Sequence, residues 1–244
     1  MNNLTEQTLA QIVTGHFRTA AVLEKYQLDF CCKGRRTLRQ ACEEKQLNLA
    51  EVLSELDNAS LLPEPEGIQP DQLTLTALSE EIVNRHHEYV RKEMPVINGY
   101  LEKIAAKHGG RHPEMIHVAQ IFKALTEEMN LHMQKEEKVL FPRIKEIEAV
   151  RNNGMEAAVQ PTYLKAPVVV MEQEHDHAGS AMAEIRQLTS NYTLPADACT
   201  TYQLSFAALQ AFEQDLHRHV HLENNVLFPK AMELFQTPSP ASLN

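Results

Sequence analysis

The chain has 244 residues, a formal net charge of −10 and a pI near 5.6, so it offers no basic face for nucleic acid and would be repelled by an anionic membrane. No run approaches the roughly 18 apolar residues that a membrane-spanning helix needs, and the first residues lack the basic region and cleavage site of a signal peptide. These properties predict a cytoplasmic protein with no nucleic-acid or membrane partner.

Helix is the secondary structure that the sequence favours throughout. Glycine is scarce at 8 residues, and no strand-like alternation is flanked by hairpin turns, so we expect an all-α protein. The segment from Leu61 to Asp71 contains three prolines and one glycine, which is typical of a linker. The predicted organisation is a small helical N-terminal domain over 1–60, the linker over 61–71, a helical bundle over 72–236 and a tail over 237–244.

Short helices are predicted in the N-terminal domain around Thr8–Tyr26, Thr37–Glu44 and Leu49–Asp57. Thr37 and Gln40 have the spacing of a capping box, in which each side chain bonds the backbone N–H of the other residue. This pattern predicts that the second helix begins directly after Thr37.

Two adjacent cysteines, Cys31 and Cys32, lie just before that helix and are followed by three cationic side chains. Positive charge and a helix N-terminus both lower the pKa of a thiol, which predicts reactive redox or transfer thiols, with simple packing as the alternative. Neighbouring cysteines are poorly placed to share one tetrahedral ion, and a disulfide between them is strained. Four cysteines in a chain of this length fit a reducing compartment.

Four long amphipathic helices are predicted after the linker, separated by breaks at Gly109-Gly110 with Pro113, from Asn152 through Pro167, and at Pro195. Pro95 falls inside the first of them and predicts a kink. Four helices with short or moderate loops favour an up-down-up-down bundle.

The second and fourth bundle helices carry the same motif, a histidine followed four residues later by a glutamate and then by Val-Leu-Phe-Pro. The pairs are His132 with Glu136 and His219 with Glu223. Residues four apart lie on one helix face, and both pairs interrupt apolar stripes that we expect to face the core. An unpaired carboxylate buried there would cost on the order of several kcal/mol.

A further histidine precedes each motif at nearly the same distance, His87 before the first and His175 before the second. The apolar stripe of the first helix favours His87 over His86. A carboxylate can bridge two ions while imidazoles cap the ends, so the repeat predicts a dinuclear metal site. Its predicted members are His87, His132, Glu136, His175, His219 and Glu223.

Other polar residues are predicted to support this site. Glu128 and Asp215 each lie four residues before a motif histidine and would orient its imidazole, with a solvated charge as the alternative. Glu174 is either a surface charge or part of a polar route to the metals. His217 and His221 are expected to form a solvated pair.

These motifs resemble those of the Repair of Iron Centers family, di-iron proteins that repair iron-sulfur clusters. The segment Tyr26-Gln-Leu-Asp-Phe-Cys-Cys-Lys-Gly is similar to the family's short ScdA-like N-terminal domain. The motif Glu172-x-Glu174-His175-Asp176 and the segment Glu223-Asn-Asn-Val-Leu-Phe-Pro resemble parts of its hemerythrin-like bundle. The resemblance covers nearly the whole chain, with the motifs in the same order.

The resemblance implies an oxo- and carboxylate-bridged centre of two iron ions. It implies that His87, His132, His175 and His219 are terminal ligands, that Glu136 and Glu223 are bridges, and that Glu128 and Glu174 lie near a polar route. Gly179 stands where oxygen-carrying hemerythrins have a further histidine, four residues after His175. One imidazole fewer would leave the irons more open to small-molecule ligands.

The implied function is a stress response in which iron-sulfur clusters damaged by nitric oxide or oxidants are repaired. The centre would either donate iron to a damaged cluster or bind and reduce nitric oxide. Damaged iron-sulfur proteins and nitric oxide are the expected partners. The alternative is a non-catalytic sensor or carrier of nitric oxide or oxygen.

Overall fold

The computed structural model describes residues 4–61, 70–153 and 162–236, and these residues form helices and loops without a β-strand. The predicted all-α class is therefore confirmed. Most of the predicted linker and the whole of the predicted tail lie outside the described residues. In chain order the α-helices are α1 (Leu9–Gly15), α2 (Thr19–Lys25), α3 (Leu38–Glu44), α4 (Leu49–Ser60), α5 (Leu75–Glu81), α6 (Glu88–His108), α7 (Glu114–Lys135), α8 (Phe141–Asn152), α9 (Thr162–Leu188), α10 (Thr200–Leu222) and α11 (Phe228–Gln236).

The N-terminal domain contains α1 to α4. The capping box predicted for α3 is confirmed, because the Gln40 N–H donates to Thr37 Oγ1 at 3.2 Å and the Thr37 N–H donates to Gln40 Oε1 at 3.0 Å. Thr8 and Gln11 form a second capping box at the start of α1. The first predicted helix is divided, since α1 ends at Gly15 and α2 begins at Thr19.

Three of the four bundle helices are interrupted by a π-helical turn. The first joins α5 to α6 at Ile82–His87, the second joins α7 to α8 at Glu136–Leu140, and the third joins α10 to α11 at Glu223–Leu227. Such turns occur frequently at functional sites. Each of these turns begins or ends at a residue of the predicted metal site.

The third bundle helix, α9, begins at Thr162 and runs through Pro167, where the sequence predicted a break. A proline has no N–H for the carbonyl four residues earlier, which here is that of Tyr163. Arg143 Nη1 donates to this carbonyl at 2.8 Å instead. The helix therefore includes Pro167 because a neighbouring helix supplies the missing donor.

The apolar core consists of two clusters of buried side chains. The larger includes Leu9 and Phe30 of the N-terminal domain together with Phe122 and Phe212 of the bundle, so the two parts of the chain share one core. The smaller lies at the end of the bundle formed by α5, α8 and α11. In all four bundle helices the predicted metal-site residues lie near the boundary between the segments of the two clusters. Among the described residues, no helix is long and apolar enough to cross a membrane.

Candidate metal centre

Six side chains from all four bundle helices meet in one polar layer of the core, and each is at most 2% exposed. Their ligand atoms form two groups that share both glutamates. The shared residues are Glu136 and Glu223, the first group adds His87 and His219, and the second adds His132 and His175. The structure thus brings together all six residues that the sequence predicted for this site.

The two histidines of each group point their Nε2 atoms at one another. These atoms are 3.2 Å apart in His87 and His219 and 3.1 Å apart in His132 and His175. Two nitrogens held about 2.1 Å from one ion would be about 3.0 Å apart at a right angle and about 3.4 Å apart at the tetrahedral angle. Both separations therefore fit two ligands of a single ion.

Each glutamate contacts one histidine from each group. Glu136 Oε2 lies 3.3 Å from Nε2 of both His87 and His132. Glu223 Oε1 lies 3.0 Å from His219 Nε2, and its Oε2 lies 3.1 Å from His175 Nε2. Each glutamate therefore lies where a carboxylate could bridge two ions.

Several oxygen atoms of the two glutamates are buried and lack a hydrogen bond of acceptable geometry, namely both oxygens of Glu136 and Oε2 of Glu223. Unpaired buried carboxylate oxygens are costly, and a pair of cations between the glutamates would satisfy them. Imidazole and carboxylate together are a donor set that suits non-heme iron. The residues present therefore fit the pair of iron ions that the family resemblance implies.

Side chains from neighbouring helices hold the imidazoles through Nδ1. His87 Nδ1 lies 2.6 Å from Glu137 Oε1, and His132 Nδ1 lies 2.9 Å from Glu174 Oε2. Because a carboxylate accepts, each Nδ1 carries a proton, which leaves Nε2 as the atom that would bind an ion in the layer. Facing Nε2 atoms need a cation between them, either a proton or a metal ion, because their lone pairs otherwise repel each other.

His175 follows the same arrangement, since its Nδ1 lies 2.9 Å from Asn224 Oδ1. The sequence patterns did not single out Glu137 and Asn224, although each directly follows the glutamate of one copy of the repeated motif. That shared offset was the available signal.

Two predicted supporting contacts are wrong. Asp215 Oδ1 lies 2.9 Å from Nδ1 of His86 rather than orienting His219, and the buried His86 ring stacks on that of His219 at 5.6 Å between centroids. Glu128 does not orient His132, whose Nδ1 is bonded by Glu174 instead. Packing gave His132 a partner from another helix, and it paired Asp215 with a histidine of another helix.

A cavity of about 260 Å³ lies beside His132 and is lined by Glu128 and Glu174, among others. This position agrees with a polar route to the layer, which stays a prediction. Glu174 also pairs with Lys135, and hydrogen bonds from His132 and Lys135 hold the pKa of Glu174 down at about 2. Glu174 therefore remains a charged acceptor at neutral pH.

The layer itself is strongly polarised. Burial alone would lower the pKa of His132, but Glu136 and Glu174 outweigh it and raise the pKa to about 10. Burial would raise the pKa of Glu223, but His219 and His175 outweigh it and hold that pKa well below its usual range. Both directions show that the glutamates favour positive charge between them.

The N-terminal domain covers part of the bundle beside this layer. His221, expected to be solvated, is 1% exposed, with its Nε2 3.2 Å from Thr14 Oγ1 and its ring packed edge-on against Phe30. The Asn225 side chain donates to the carbonyl oxygen of Cys31 at 3.0 Å. The expectation of a solvated pair is therefore wrong for His221.

The two adjacent cysteines are free thiols at this junction. Hydrogen bonding to Cys32, burial and the charge of Asp29 raise the pKa of the Cys31 thiol well above its ordinary value. The expectation that nearby cations make Cys31 a ready thiolate is wrong, because the burial and anionic neighbours of Cys31 dominate. Redox or transfer roles for Cys31 and Cys32 stay predictions.

The chain matches two family models. One, a hemerythrin HHE cation-binding domain, matches residues 79–231, and the other, the ScdA N-terminal domain of unknown function, matches residues 5–60. The iron-sulfur cluster repair protein YtfE of Enterobacter sp. (strain 638) is 34% identical over 227 residues, which cover 93% of this chain and 97% of that protein. The proteins of the same name from Yersinia pseudotuberculosis serotype O:1b and Yersinia pestis (strain Pestoides F) are also 34% identical, over 93% of this chain and 96% of each of theirs.

Proposed function

The chain belongs to the family of iron-sulfur cluster repair proteins that combine a ScdA N-terminal domain with a hemerythrin HHE domain, and on this premise we propose that it restores iron-sulfur clusters damaged by nitrosative or oxidative stress. The observation that carries the proposal is the buried layer in which two histidine pairs share two glutamates. That donor set suits two iron ions, which hemerythrin-like sites hold at this place in the bundle.

The proposed roles follow from the geometry of the layer. His87, His132, His175 and His219 would be terminal ligands through Nε2, with Glu136 and Glu223 as bridges. Glu137, Glu174 and Asn224 hold three of the imidazoles in the orientation that directs Nε2 inward. When bound, the iron pair would supply open coordination positions and electrons toward nitric oxide, as well as iron for a client cluster.

Two routes to repair agree with these residues. In one, iron leaves the layer for a damaged iron-sulfur protein, with Cys31 and Cys32 as transfer thiols. In the other, nitric oxide is bound and reduced at the centre, which would make the protein an enzyme. Glu128 and Glu174 line the side from which a small molecule would approach the layer.

Restoration of a nitric oxide-damaged iron-sulfur dehydratase tests the proposal. The iron-loaded protein should restore the dehydratase, while a Cys31→Ser/Cys32→Ser double variant should keep its iron and its nitric oxide binding but restore less. The matched control Cys199→Ser, which changes an exposed cysteine away from the junction, should behave as the wild type. No restoration by iron-loaded wild-type protein would overturn the proposal.

A second candidate function, a non-catalytic sensor or carrier of nitric oxide or oxygen, is favoured by one contact chain. Three consecutive residues of one π-helical turn form this contact chain. Glu223 belongs to the metal layer, and Asn224 Oδ1 lies beside His175 Nδ1. Asn225 donates a hydrogen bond to the loop of the N-terminal domain that contains Cys31. A change at the layer would thus reach the other domain directly. Stoichiometric gas binding without turnover, iron loss or repair would favour this function.

A further inference from the structure

The thiols of Cys31 and Cys32 point to the same side of their loop. Their Sγ atoms are 3.8 Å apart, far beyond the roughly 2.05 Å of a disulfide, and Asp29 Oδ1 lies 3.3 Å from Cys31 Sγ. Ligand atoms of all three residues lie within 4.8 Å of one another. None of these residues belongs to the buried histidine and glutamate layer.

We propose that Cys31, Cys32 and Asp29 form a second metal site, which takes up a thiophilic divalent cation at the junction of the two domains. Two thiolates bound to one tetrahedral ion at about 2.3 Å place their sulfur atoms about 3.8 Å apart, which is the separation observed. The sequence predicts that adjacent cysteines are poorly placed to share one tetrahedral ion. The loop conformation removes that objection, because both side chains project to one side.

The loop is held in place from within and from the bundle. Asp29 Oδ1 accepts backbone N–H bonds from Cys31, Cys32 and Lys33 at 3.0 to 3.2 Å, while Oδ2 takes part in none of them. Asn225 holds the Cys31 carbonyl from the other side. Little reorganisation would be needed for the two sulfur atoms and the Asp29 carboxylate to bind an ion, and pre-organisation of this kind favours binding.

A cavity of about 480 Å³ lies in front of the thiols, between the N-terminal domain and the bundle. Asp176 and His217 line its bundle side and are candidates for a fourth ligand, as is water. Gly179 also lines it, and a Cβ there would lie 3.7 Å from Cys32 Sγ. Space for an ion beside Cys32 therefore depends on the lack of a long side chain at position 179.

Metal binding at this site exchanges protons for the ion, because a divalent cation bound by both thiolates displaces the two thiol protons. No electron transfer is involved. Ferrous iron passing between the buried layer and a client is the occupant that the proposed function would supply, and this part rests on that function. Zinc has the same preference for thiolates and is the competing source.

Cobalt titration of the full-length, iron-loaded protein under anaerobic conditions tests the site. One Co²⁺ per chain should give a thiolate-to-cobalt charge-transfer band that Cys31→Ser/Cys32→Ser abolishes and Cys199→Ser leaves unchanged. Asp29→Asn should weaken Co²⁺ binding about tenfold or more. A wild-type protein without the band, or a band that survives in the double variant, would overturn the proposal.

Two substitutions of Gly179 separate binding from folding. Gly179→Ala should keep the band, because its Cβ would make an ordinary contact, whereas Gly179→Leu should lose it by filling the space beside Cys32. Both variants should fold as the wild type does, which far-ultraviolet circular dichroism and the melting temperature would check. Equal bands in the two would contradict the location of the site.

Competition of Fe²⁺ and Zn²⁺ with bound Co²⁺ identifies the metal that the site prefers. Displacement of Co²⁺ by Fe²⁺ would support iron in transit, and displacement by Zn²⁺ alone would overturn that assignment. Because the readout is metal binding, a protein that shows the band but restores no cluster would refute the proposed function and leave this site standing.

Discussion

Replacing Glu137 with leucine should weaken binding of one iron without touching a ligand. Glu137 Oε1 lies 2.6 Å from His87 Nδ1 and also pairs with Arg91. Without this acceptor the neutral His87 imidazole can carry its proton on Nε2 instead of Nδ1, and a protonated Nε2 cannot bind a metal.

The expected size follows from the type of contact removed. Loss of a residue that orients a metal-bound histidine typically costs 10- to 100-fold in metal affinity, or about 1.4 to 2.8 kcal/mol. The short contact between Glu137 and His87 places this case toward the upper end. The effect should fall mainly on the ion held by His87 and His219, which would leave a population with one iron per chain.

Equilibrium dialysis against a graded iron chelator would measure the effect. Glu88→Gln is the matched control, because Glu88 also pairs with Arg91, at 3.2 Å, while the acceptor beside His87 Nδ1 is Glu137. Wild-type affinity in Glu137→Leu would refute the reasoning. An equal loss in Glu88→Gln would show that the charge balance around Arg91 matters and the imidazole orientation does not.

Three further predictions concern the iron bridges, the helix that contains Pro167 and a surface histidine. Glu136→Gln and Glu223→Gln should each shift the protein toward one iron per chain, because a neutral amide bridges two cations poorly and leaves more of their mutual repulsion. Iron analysis checks this prediction, and an intact coupled pair in both variants would count against the bridging role. Arg143→Met should lower the free energy of unfolding by about 1 to 3 kcal/mol in urea denaturation, since it leaves the Tyr163 carbonyl without its donor, and an unchanged midpoint would mean that water replaces the guanidinium. Asp197 and Glu114 raise the pKa of His112 above its unfolded value of about 6.5, so the stability they lend is fully present below that pH and is lost as pH rises through the raised pKa. The melting temperature of His112→Gln should therefore differ from that of the wild type most at low pH, and a difference that grows with pH would contradict this assignment.

The helices and the six layer residues could be predicted because both follow from periodicity within single helices. A polar residue in an apolar stripe at four-residue spacing marks a buried pair wherever the helices finally pack. The same logic failed for the supporting residues. Glu128 and Asp215 were chosen as neighbours four positions earlier on one helix, but the observed partners of His132 and His86 come from other helices.

The contacts between helices follow a pattern that no single helix reveals. The second bundle helix supplies Glu137 to the first, the third supplies Glu174 to the second, and the fourth supplies Asn224 to the third. Adjacent residues point about 100° apart on a regular helix, so Glu137 faces a neighbour when Glu136 faces the core. Which neighbour it meets depends on packing and on the π-helical turns, and a 3.6-residue period shows neither.

The burial of His221 and the orientation of the two thiols at the junction of the domains could not be predicted, for a similar reason. His221 stands in a polar run whose pattern resembles a solvated face, and it is buried only because the N-terminal domain packs over it. The conformation that brings both thiols to one side depends on hydrogen bonds from Asp29 and Asn225. Tertiary packing rather than local preference sets both features.

In the proposed centre, two histidine pairs share two glutamates around a pair of iron ions. Mössbauer spectroscopy of protein produced in iron-replete cells, combined with iron analysis, tests it most directly. We expect two irons per chain that form one antiferromagnetically coupled ferric pair. A single uncoupled iron per chain, or folded protein without iron under these conditions, would contradict it.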